Sequence, residues 1–216
     1  MPSINKPSKA VKKPKATKRQ LQAAESKKKI FDCAQSLFTA YGYDNVTIAD
    51  ICNEAGVSVG LFYNYYHSKS DISAAGFALI EEAVRACCAQ FTEKDTAKDR
   101  LLMMAKTMLS AIADSDNMLS NARVQYVREA QGIAPLVFDH NRPLGRVFLD
   151  VVLDGQKSGQ LRADINEHVI SRIVFTYTIG ATIHMLNSSN RSRLIERAIS
   201  DLDLVLENLC PHNRES

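Results

Sequence analysis

The sequence of 216 residues lacks the short motifs that mark nucleotide-dependent enzymes, metalloproteases and serine hydrolases. It contains no glycine-rich phosphate loop, no Walker sequence, no His-Glu-x-x-His and no nucleophile elbow. Its five cysteines have neither zinc-type spacing nor the even number of a disulfide framework. We therefore expect no catalytic site, no metal site and no cofactor. The cysteines are expected to be reduced thiols that pack as small apolar side chains.

Long apolar segments are also lacking. The most apolar stretch, residues 170–186, contains Arg172 and His184 and is shorter than the roughly 20 residues that span a bilayer. The N-terminal residues lack the apolar run of a secretory signal. We therefore expect a cytoplasmic protein without a membrane segment.

Acidic residues are absent from residues 1–24, whose lysines and arginine give a charge of +7. Because the whole chain carries +3, residues 25–216 carry −4. Pro2, Pro7 and Pro14 interrupt the basic segment, and its few bulky apolar side chains cannot offset the entropy lost on ordering. We predict a disordered basic arm over residues 1–24, which suits contact with a polyanion.

Strand-like alternation is missing as well, and apolar residues recur at helical spacing instead. Together with 45% hydrophobic residues, this predicts an all-α protein of about nine helices. The first helix is predicted over residues 25–41, before Gly42. Thr47 with Asp50 forms a capping pattern for a second helix that closes at Gly56. Later breaks are predicted near residues 114–117, 132–143 and 158–164.

The turn Gly56-Val57-Ser58 separates the second helix from a third helix, predicted over residues 59–65. A fourth helix is predicted from the capping pattern of Ser68 and Asp71. Two short helices joined by a tight turn with glycine, behind a longer helix with one apolar face, match a helix-turn-helix. An ordinary helical hairpin in an α protein is the alternative that these signals leave open.

Two C-terminal helices carry more apolar surface than one subunit can cover. The helix predicted over residues 164–186 is apolar in nearly all directions and leaves only a strip of Ser171, Thr178 and Thr182. In the last helix, Ile195, Leu202 and Leu209 repeat every seven residues, as in a helix bundle. We predict that both helices form a homodimer interface, with Leu202 in its apolar seam.

Residues 47–72, TIADICNEAGVSVGLFYNYYHSKSDI, closely resemble the signature of the tetracycline-repressor (TetR) family. Residues 29–72 resemble the family's whole DNA-binding domain, and residues 155–162, GQKSGQLR, resemble the turn leading to its helix 8. The resemblance implies a helix-turn-helix domain over residues 25–72 and a ligand-binding and dimerisation domain over residues 73–216. It also implies a repressor that binds a palindromic operator in double-stranded DNA as a homodimer and is released by a small-molecule effector.

Phosphate contacts are expected from two residues by this resemblance. The family's tyrosine at the position of Tyr63 and its lysine at the position of Lys69 hold backbone phosphates. Thr47 can aim its hydroxyl at a phosphate, although it is also a good helix cap. Residues 25–72 carry a net charge of −2, so phosphate attraction must come largely from the lysines at 27–29 and the arm.

Base reading is expected from the start and middle of the third helix. Asn64 can pair with adenine, whereas Val59 and Leu61 can pack against thymine methyl groups. The family more often has a cation near Val59 and a hydroxyl at Leu61, so this sequence argues against direct guanine recognition. Phe62 and Tyr66 are expected to pack in the core. The DNA-binding candidates are Lys28, Thr47, Ser58, Val59, Gly60, Leu61, Tyr63, Asn64, Tyr65 and Lys69.

The effector pocket is expected in the C-terminal domain, where abundant methionine and phenylalanine favour an apolar or aromatic ligand. Any single candidate could instead be ordinary core. His140 and His184 alone do not indicate a metal site. The candidate lining residues are Phe77, Met103, Met104, Met108, Tyr126, Phe138, Phe148, Phe175, Thr178 and His184.

Two other functions stay open at this point. A thiol-switched regulator would share the DNA-binding half and use Cys33, Cys52 or the pair Cys87 and Cys88 as its sensor. An enzyme or small-molecule-binding protein with an incidental helix-turn-helix would need a catalytic or binding constellation, and the sequence contains none that we recognise.

Overall fold

The computed structural model describes residues 17–114, 142–185 and 188–211. Those ranges contain eight α-helices and no strand, which confirms the all-α prediction. The helices are α1 (Lys18–Tyr41), α2 (Ile48–Ala55), α3 (Val59–Tyr63), α4 (Lys69–Cys88), α5 (Ala97–Ala113), α6 (Pro143–Lys157), α7 (Glu167–Met185) and α8 (Arg191–Glu207).

Helix α1 begins earlier than predicted, at Lys18 rather than at residue 25. Thr17 caps it, because its side chain accepts a hydrogen bond from the backbone N–H of Gln20 while the Gln20 side chain accepts from the backbone N–H of Thr17. This reciprocal cap satisfies two otherwise unpaired donors. Residues 18–24 are therefore helical, and the prediction of a disordered segment over them is wrong.

Two other helix boundaries differ from the predictions. Helix α3 ends at Tyr63 rather than at residue 65. Helix α7 begins at Glu167 rather than near residue 164, because Asp164 forms an ion pair with Arg162, with 2.6 Å between Nη2 and Oδ2. The side chain of Asn166 instead accepts the first free backbone N–H, from His168 at 3.1 Å.

The described core separates into two clusters. One is built from α1 to α3 and the start of α4, and includes Ile30, Phe38, Ile51 and Phe62. The other begins at Ile80 and extends to α8. Helix α4 runs through both clusters without interruption. The separation supports the predicted division near residue 72, although that boundary falls within α4 and stays a prediction.

Helix α5 is the centre of the C-terminal cluster and packs against α4, α6, α7 and α8. Gly155 of α6 lies where a Cβ atom would be 2.6 Å from Ala97 Cβ, so only glycine permits this close approach. The Gln160 side chain accepts a hydrogen bond from the backbone N–H of Ala97 at 2.6 Å. The turn over residues 155–162 therefore fastens α6 to the start of α5.

The apolar seam of α8 faces its own subunit, which corrects the predicted place of the dimer seam. Leu202 is only 1% exposed and lies in the same core cluster as Ile195 and Leu209. Helix α7 likewise turns its strip of Ser171, Thr178 and Thr182 into the core. The outward faces of α7 and α8 are instead formed by other residues, among them Leu204.

Candidate functional site

Helices α2 and α3 form the tight corner that the sequence predicted. Helix α2 ends at Gly56, whose φ of 61° lies in the left-handed region that favours glycine. Ser58 then caps α3, because its hydroxyl oxygen accepts a hydrogen bond from the backbone N–H of Leu61 at 3.1 Å. The turn thus joins the two helices, and its Ser58 hydroxyl pairs one of the first N–H donors of α3.

Helix α3 is anchored by aromatic side chains on its inner side. Phe62 and Tyr66 are buried, which confirms that both are packing residues. Their ring centroids are 6.0 Å apart, and Tyr63 packs edge-on against Phe62 at 5.5 Å. With the inner side fixed, the opposite side of this short helix faces solvent.

The solvent-facing side of α3 carries most of the predicted base-reading residues. Ser58, Gly60 and Asn64 are exposed, and Val59 is 48% exposed. Tyr63 is exposed as well, whereas Leu61 and Tyr65 are half-buried. The structure therefore brings these predicted residues onto one small surface, but their contacts with DNA stay predictions.

Thr47 is held as a helix cap. Its hydroxyl donates to the Asp50 carboxylate at 2.6 Å and accepts from the backbone N–H of Asp50 at 3.1 Å. Two hydrogen bonds lower the pKa of Asp50. The larger effect comes from the Thr47 side chain and the smaller one from the Thr47 backbone N–H. The carboxylate places a negative charge at the start of α2. A phosphate contact from the Thr47 hydroxyl would have to replace its bond to Asp50.

Lys69 is held by the loop between α1 and α2. Its Nζ donates hydrogen bonds to the carbonyl oxygens of Tyr43 and Val46, each at 2.6 Å. The same ammonium lies 4.5 Å from the centroid of the Tyr43 ring. Sequence analysis missed this structural role, because the partners are more than twenty residues away along the chain.

Lys28 lies on the exposed surface of α1 and forms an ion pair with Asp32 at 2.5 Å. The hydrogen bond to that carboxylate raises the pKa of Lys28. Lys18 and Arg19 add exposed positive charge at the start of α1. This helical extension was missed because the prolines upstream favoured disorder, although Thr17 and Gln20 have capping-box spacing.

The effector candidates divide into two groups. Met104, Met108, Phe148 and Phe175 lie together in the buried C-terminal cluster, and the rings of Phe148 and Phe175 meet edge-to-face at 5.4 Å. Thr178 is also buried, and Phe77 packs partly buried against the same cluster. Tyr126 and Phe138 lie outside the described residues.

Met103 and His184 are not brought to this cluster. Met103 is exposed because it is rotated by about 100° from its buried neighbour Met104 on α5. His184 is exposed on α7 and lines a surface groove of about 350 Å³ between α7 and α8. Neither side chain can line a pocket inside the subunit from these positions.

The strip of Ser171, Thr178 and Thr182 on α7 supplies buried hydroxyl groups. Thr178 Oγ1 donates to the Val174 carbonyl at 2.8 Å, and Thr182 Oγ1 donates to the Thr178 carbonyl at 3.1 Å. Ser171 Oγ is fully buried and has no hydrogen-bond partner among the described residues. Because an unpaired buried hydroxyl is costly, Ser171 is a candidate for contact with a polar ligand group.

The five cysteines are free thiols. Burial raises the pKa of Cys33, Cys52, Cys88 and Cys210. A higher pKa lowers the fraction of reactive thiolate at neutral pH. This chemistry argues against Cys33, Cys52 or Cys88 as the reactive sensor of a thiol switch. In the described parts of the chain, no helix has the length and hydropathy needed to cross a membrane.

Comparisons with known proteins relate the chain to bacterial transcription regulators. Residues 30–75 match the profile of bacterial regulatory proteins of the tetR family. The fatty acid metabolism regulator protein of Bacillus subtilis (strain 168) is 20% identical over 187 residues, which cover 86% of this chain and 95% of that protein. The HTH-type transcriptional regulator UidR of Escherichia coli (strain K12) is 21% identical over 164 residues, which cover 74% and 82%.

Solved structures share the fold. Salmonella enterica GusR superposes with a TM-score of 0.68 at 17% sequence identity, covering 86% of this chain and 95% of that one. The matched helix-turn-helix segment, the curated regulators and the common all-helical fold agree. The chain is therefore a DNA-binding transcriptional regulator, and its residues 30–75 match the DNA-binding segment of the tetR family of bacterial regulatory proteins.

Proposed function

We propose that this regulator is a homodimeric repressor that binds a palindromic operator through α3 and is released by a small apolar effector. The observation that carries the DNA-binding role is the outward face of α3, where Ser58, Val59, Gly60, Tyr63 and Asn64 are exposed while Phe62 fixes the helix from behind. A helix presented in this way can enter the major groove.

The residues of this face have separable roles. Tyr63 donates its hydroxyl to a backbone phosphate and positions the protein, whereas Asn64 pairs with adenine and selects sequence. Tyr63→Phe should weaken binding to every duplex by a similar factor. Asn64→Ala should instead change which base is tolerated at one position of each half-site.

Titration of each variant against all single-base operator mutants tests these roles. Tyr41→Phe is the control for Tyr63→Phe, because Tyr41 is also exposed but lies at the end of α1. A uniform loss for Asn64→Ala would remove its role in base reading. An unchanged affinity for Tyr63→Phe would remove the proposed phosphate contact.

Dimerisation is proposed on the outward faces of α7 and α8. Four large apolar side chains are exposed there, namely Ile173, Ile183, Leu204 and Val205. Between the helices lies the groove of about 350 Å³, lined by residues that include Tyr177, Gly180, Leu194 and Asp201. A twofold dimer requires half-sites of opposite orientation, about one helical turn of DNA or a multiple of it apart.

The effector is proposed to be an apolar molecule with at least one hydrogen-bonding group. The phenylalanine and methionine cluster supplies apolar contacts, and the hydroxyls of Ser171, Thr178 and Thr182 lie on the core-facing side of α7. The name of the Bacillus subtilis relative, a fatty acid metabolism regulator, is consistent with a ligand that has an acyl chain.

Release of operator DNA by a panel of acyl, aromatic and sugar compounds tests this chemistry. Ser171→Ala should leave the thermal midpoint unchanged or higher, because it removes an unpaired buried hydroxyl, but should weaken the response to the active compound. Thr176→Ala, on the exposed side of α7, is the matched control. Release by sugars but not by acyl or aromatic compounds would contradict an apolar effector.

We also infer that the protein has no catalytic activity and works in the cytoplasm. Both curated relatives are transcription regulators. A regulator of bacterial transcription reaches its operator on chromosomal DNA, which lies in that compartment.

A further inference from the structure

Gly60 occupies a position in α3 where nothing among the described residues requires glycine. Its φ is not among the positive values, which belong to Gly42, Gly56 and Gly159. A Cβ atom at Gly60 would meet only Ser58 Oγ, at 4.0 Å. Glycine inside a helix is nevertheless less favourable than alanine. The packing of the described residues therefore does not explain the glycine.

Val59, the neighbour of Gly60, is unusual for an exposed position at the start of a DNA-reading helix. Its apolar side chain is half-exposed and donates no hydrogen bonds. It therefore has no partner among polar base atoms, but its methyl groups match the C5 methyl group of thymine, which projects into the major groove.

Helix α3 itself carries no cation that could read guanine. The nearby lysines of α1 lie beside its inner neighbours: Lys27 Nζ is 5.6 Å from the centroid of the Tyr66 ring, and Lys29 Nζ lies beside Gly56. The sequence contains no lysine or arginine between Lys29 and Lys69. Lys69 Nζ is bound to the Tyr43 and Val46 carbonyls, on the loop before α2. Guanine is most often read in the major groove by arginine or lysine at O6 and N7. At Val59 itself, sequence discrimination therefore depends on apolar contact.

We propose that Val59 reads a thymine methyl group in each half-site and that Gly60 lets the helix backbone come close enough for that contact. Reading by Val59 rests on the proposed function, since it requires α3 to enter the major groove. Gly60 acts as a positioning residue, because a side chain there would hold the helix away from the base edges.

Binding sites for the test come from selection of random-sequence duplex DNA with the full-length protein. Each thymine of the selected duplex is then replaced singly by deoxyuridine, which lacks only the methyl group. Loss of one buried methyl group should weaken binding by about fourfold per half-site, at one symmetric position. The wild-type protein should show this loss at that position.

Val59→Ala should bind the thymine duplex less tightly and should show no further loss on the deoxyuridine duplex. Leu79→Ala, an exposed apolar residue on α4, should keep the wild-type response to deoxyuridine. Gly60→Ala should have an equal or higher thermal midpoint and weaker binding to every selected duplex. Thermal midpoints of the three variants separate loss of folding from loss of contact.

Two results would overturn the proposal while leaving DNA binding through α3 intact. One is tight binding by the wild type with no dependence on any thymine methyl group. The other is an equal deoxyuridine effect in the wild type and in Val59→Ala. Failure to select any duplex sequence would contradict the proposed function itself. It would also contradict thymine recognition by Val59, which depends on that function.

Discussion

Lys69 Nζ lies 2.6 Å from the carbonyl oxygen of Val46 and joins the start of α4 to the loop before α2. The second bond, to the Tyr43 carbonyl, and the Tyr43 ring below the ammonium complete its surroundings. These contacts fix α4, which extends into the C-terminal core, against the helix-turn-helix. A residue expected to bind phosphate thus also holds the DNA-binding domain together.

Lys69→Ala should lower the free energy of unfolding by ~1–3 kcal/mol, because it removes charge-assisted hydrogen bonds to two carbonyls. Lys28→Ala, which removes an exposed and solvent-screened ion pair with Asp32, should lower the free energy of unfolding by less than Lys69→Ala does. Chemical denaturation measures both values. A stability loss for Lys69→Ala no larger than that of Lys28→Ala would contradict the structural role.

The same variant separates a structural role from a phosphate contact. If Lys69 also neutralises a phosphate, Lys69→Ala should reduce the slope of log affinity against log salt by about 0.9 per subunit. If it only holds the domain, affinity falls with an unchanged slope. Operator titrations at several salt concentrations, well below the thermal midpoint, distinguish the two.

Leu204→Glu should convert the dimer into folded monomers and abolish tight operator binding. Leu204 is 64% exposed on α8, so the new charge affects the proposed partner contact rather than the subunit core. Leu79→Glu, at a residue that is 51% exposed on α4, should stay dimeric. Sedimentation and circular dichroism measure assembly and folding. A dimeric Leu204→Glu variant with normal operator affinity would show that the interface lies elsewhere.

Leu202→Ala should act differently from the change at Leu204. Because Leu202 is buried in its own subunit, truncation should lower the free energy of unfolding by about 2–5 kcal/mol. Denaturation followed by fluorescence or circular dichroism measures this loss. Unchanged stability together with weaker dimerisation would instead support the sequence-based prediction that Leu202 lies in the dimer interface.

A chain that begins at Thr17 should bind operator DNA more weakly and with a flatter salt dependence. It lacks the lysines at 6, 9, 12, 13 and 15 but keeps the cap formed by Thr17 and Gln20. Each lost phosphate contact lowers the slope by about 0.9. Replacing the same five lysines by glutamine in the full chain is the control for length. Equal slopes would assign the arm to solubility alone.

Peroxide treatment should leave operator affinity unchanged. The pKa of four of the five thiols is raised by burial, so they are protonated at neutral pH and react slowly. Binding measured before and after oxidation checks this expectation. A reversible loss of affinity that disappears in Cys88→Ala would support the thiol switch instead.

Local signals in the sequence determined much of the DNA-binding domain. The caps at Thr47 and Ser68 pair with residues three positions ahead, so their spacing alone predicts where α2 and α4 begin. The cap at Thr17 has the same spacing, but the prolines before it favoured disorder. The signature over residues 47–72 identified the family because its turn and anchoring residues are contiguous.

Contacts between distant parts of the chain were decided only by the tertiary structure. Helical period groups Ile195, Leu202 and Leu209 on one face of α8, but it does not tell whether that face meets its own subunit or a partner, since both surfaces are apolar. Packing of α5 against α8 buries Leu202 and leaves Leu204 outside. The partners of Lys69 were also decided by the tertiary structure. The sequence shows the charge of Lys69, but the carbonyl groups that it binds belong to a loop that lies near it only after folding.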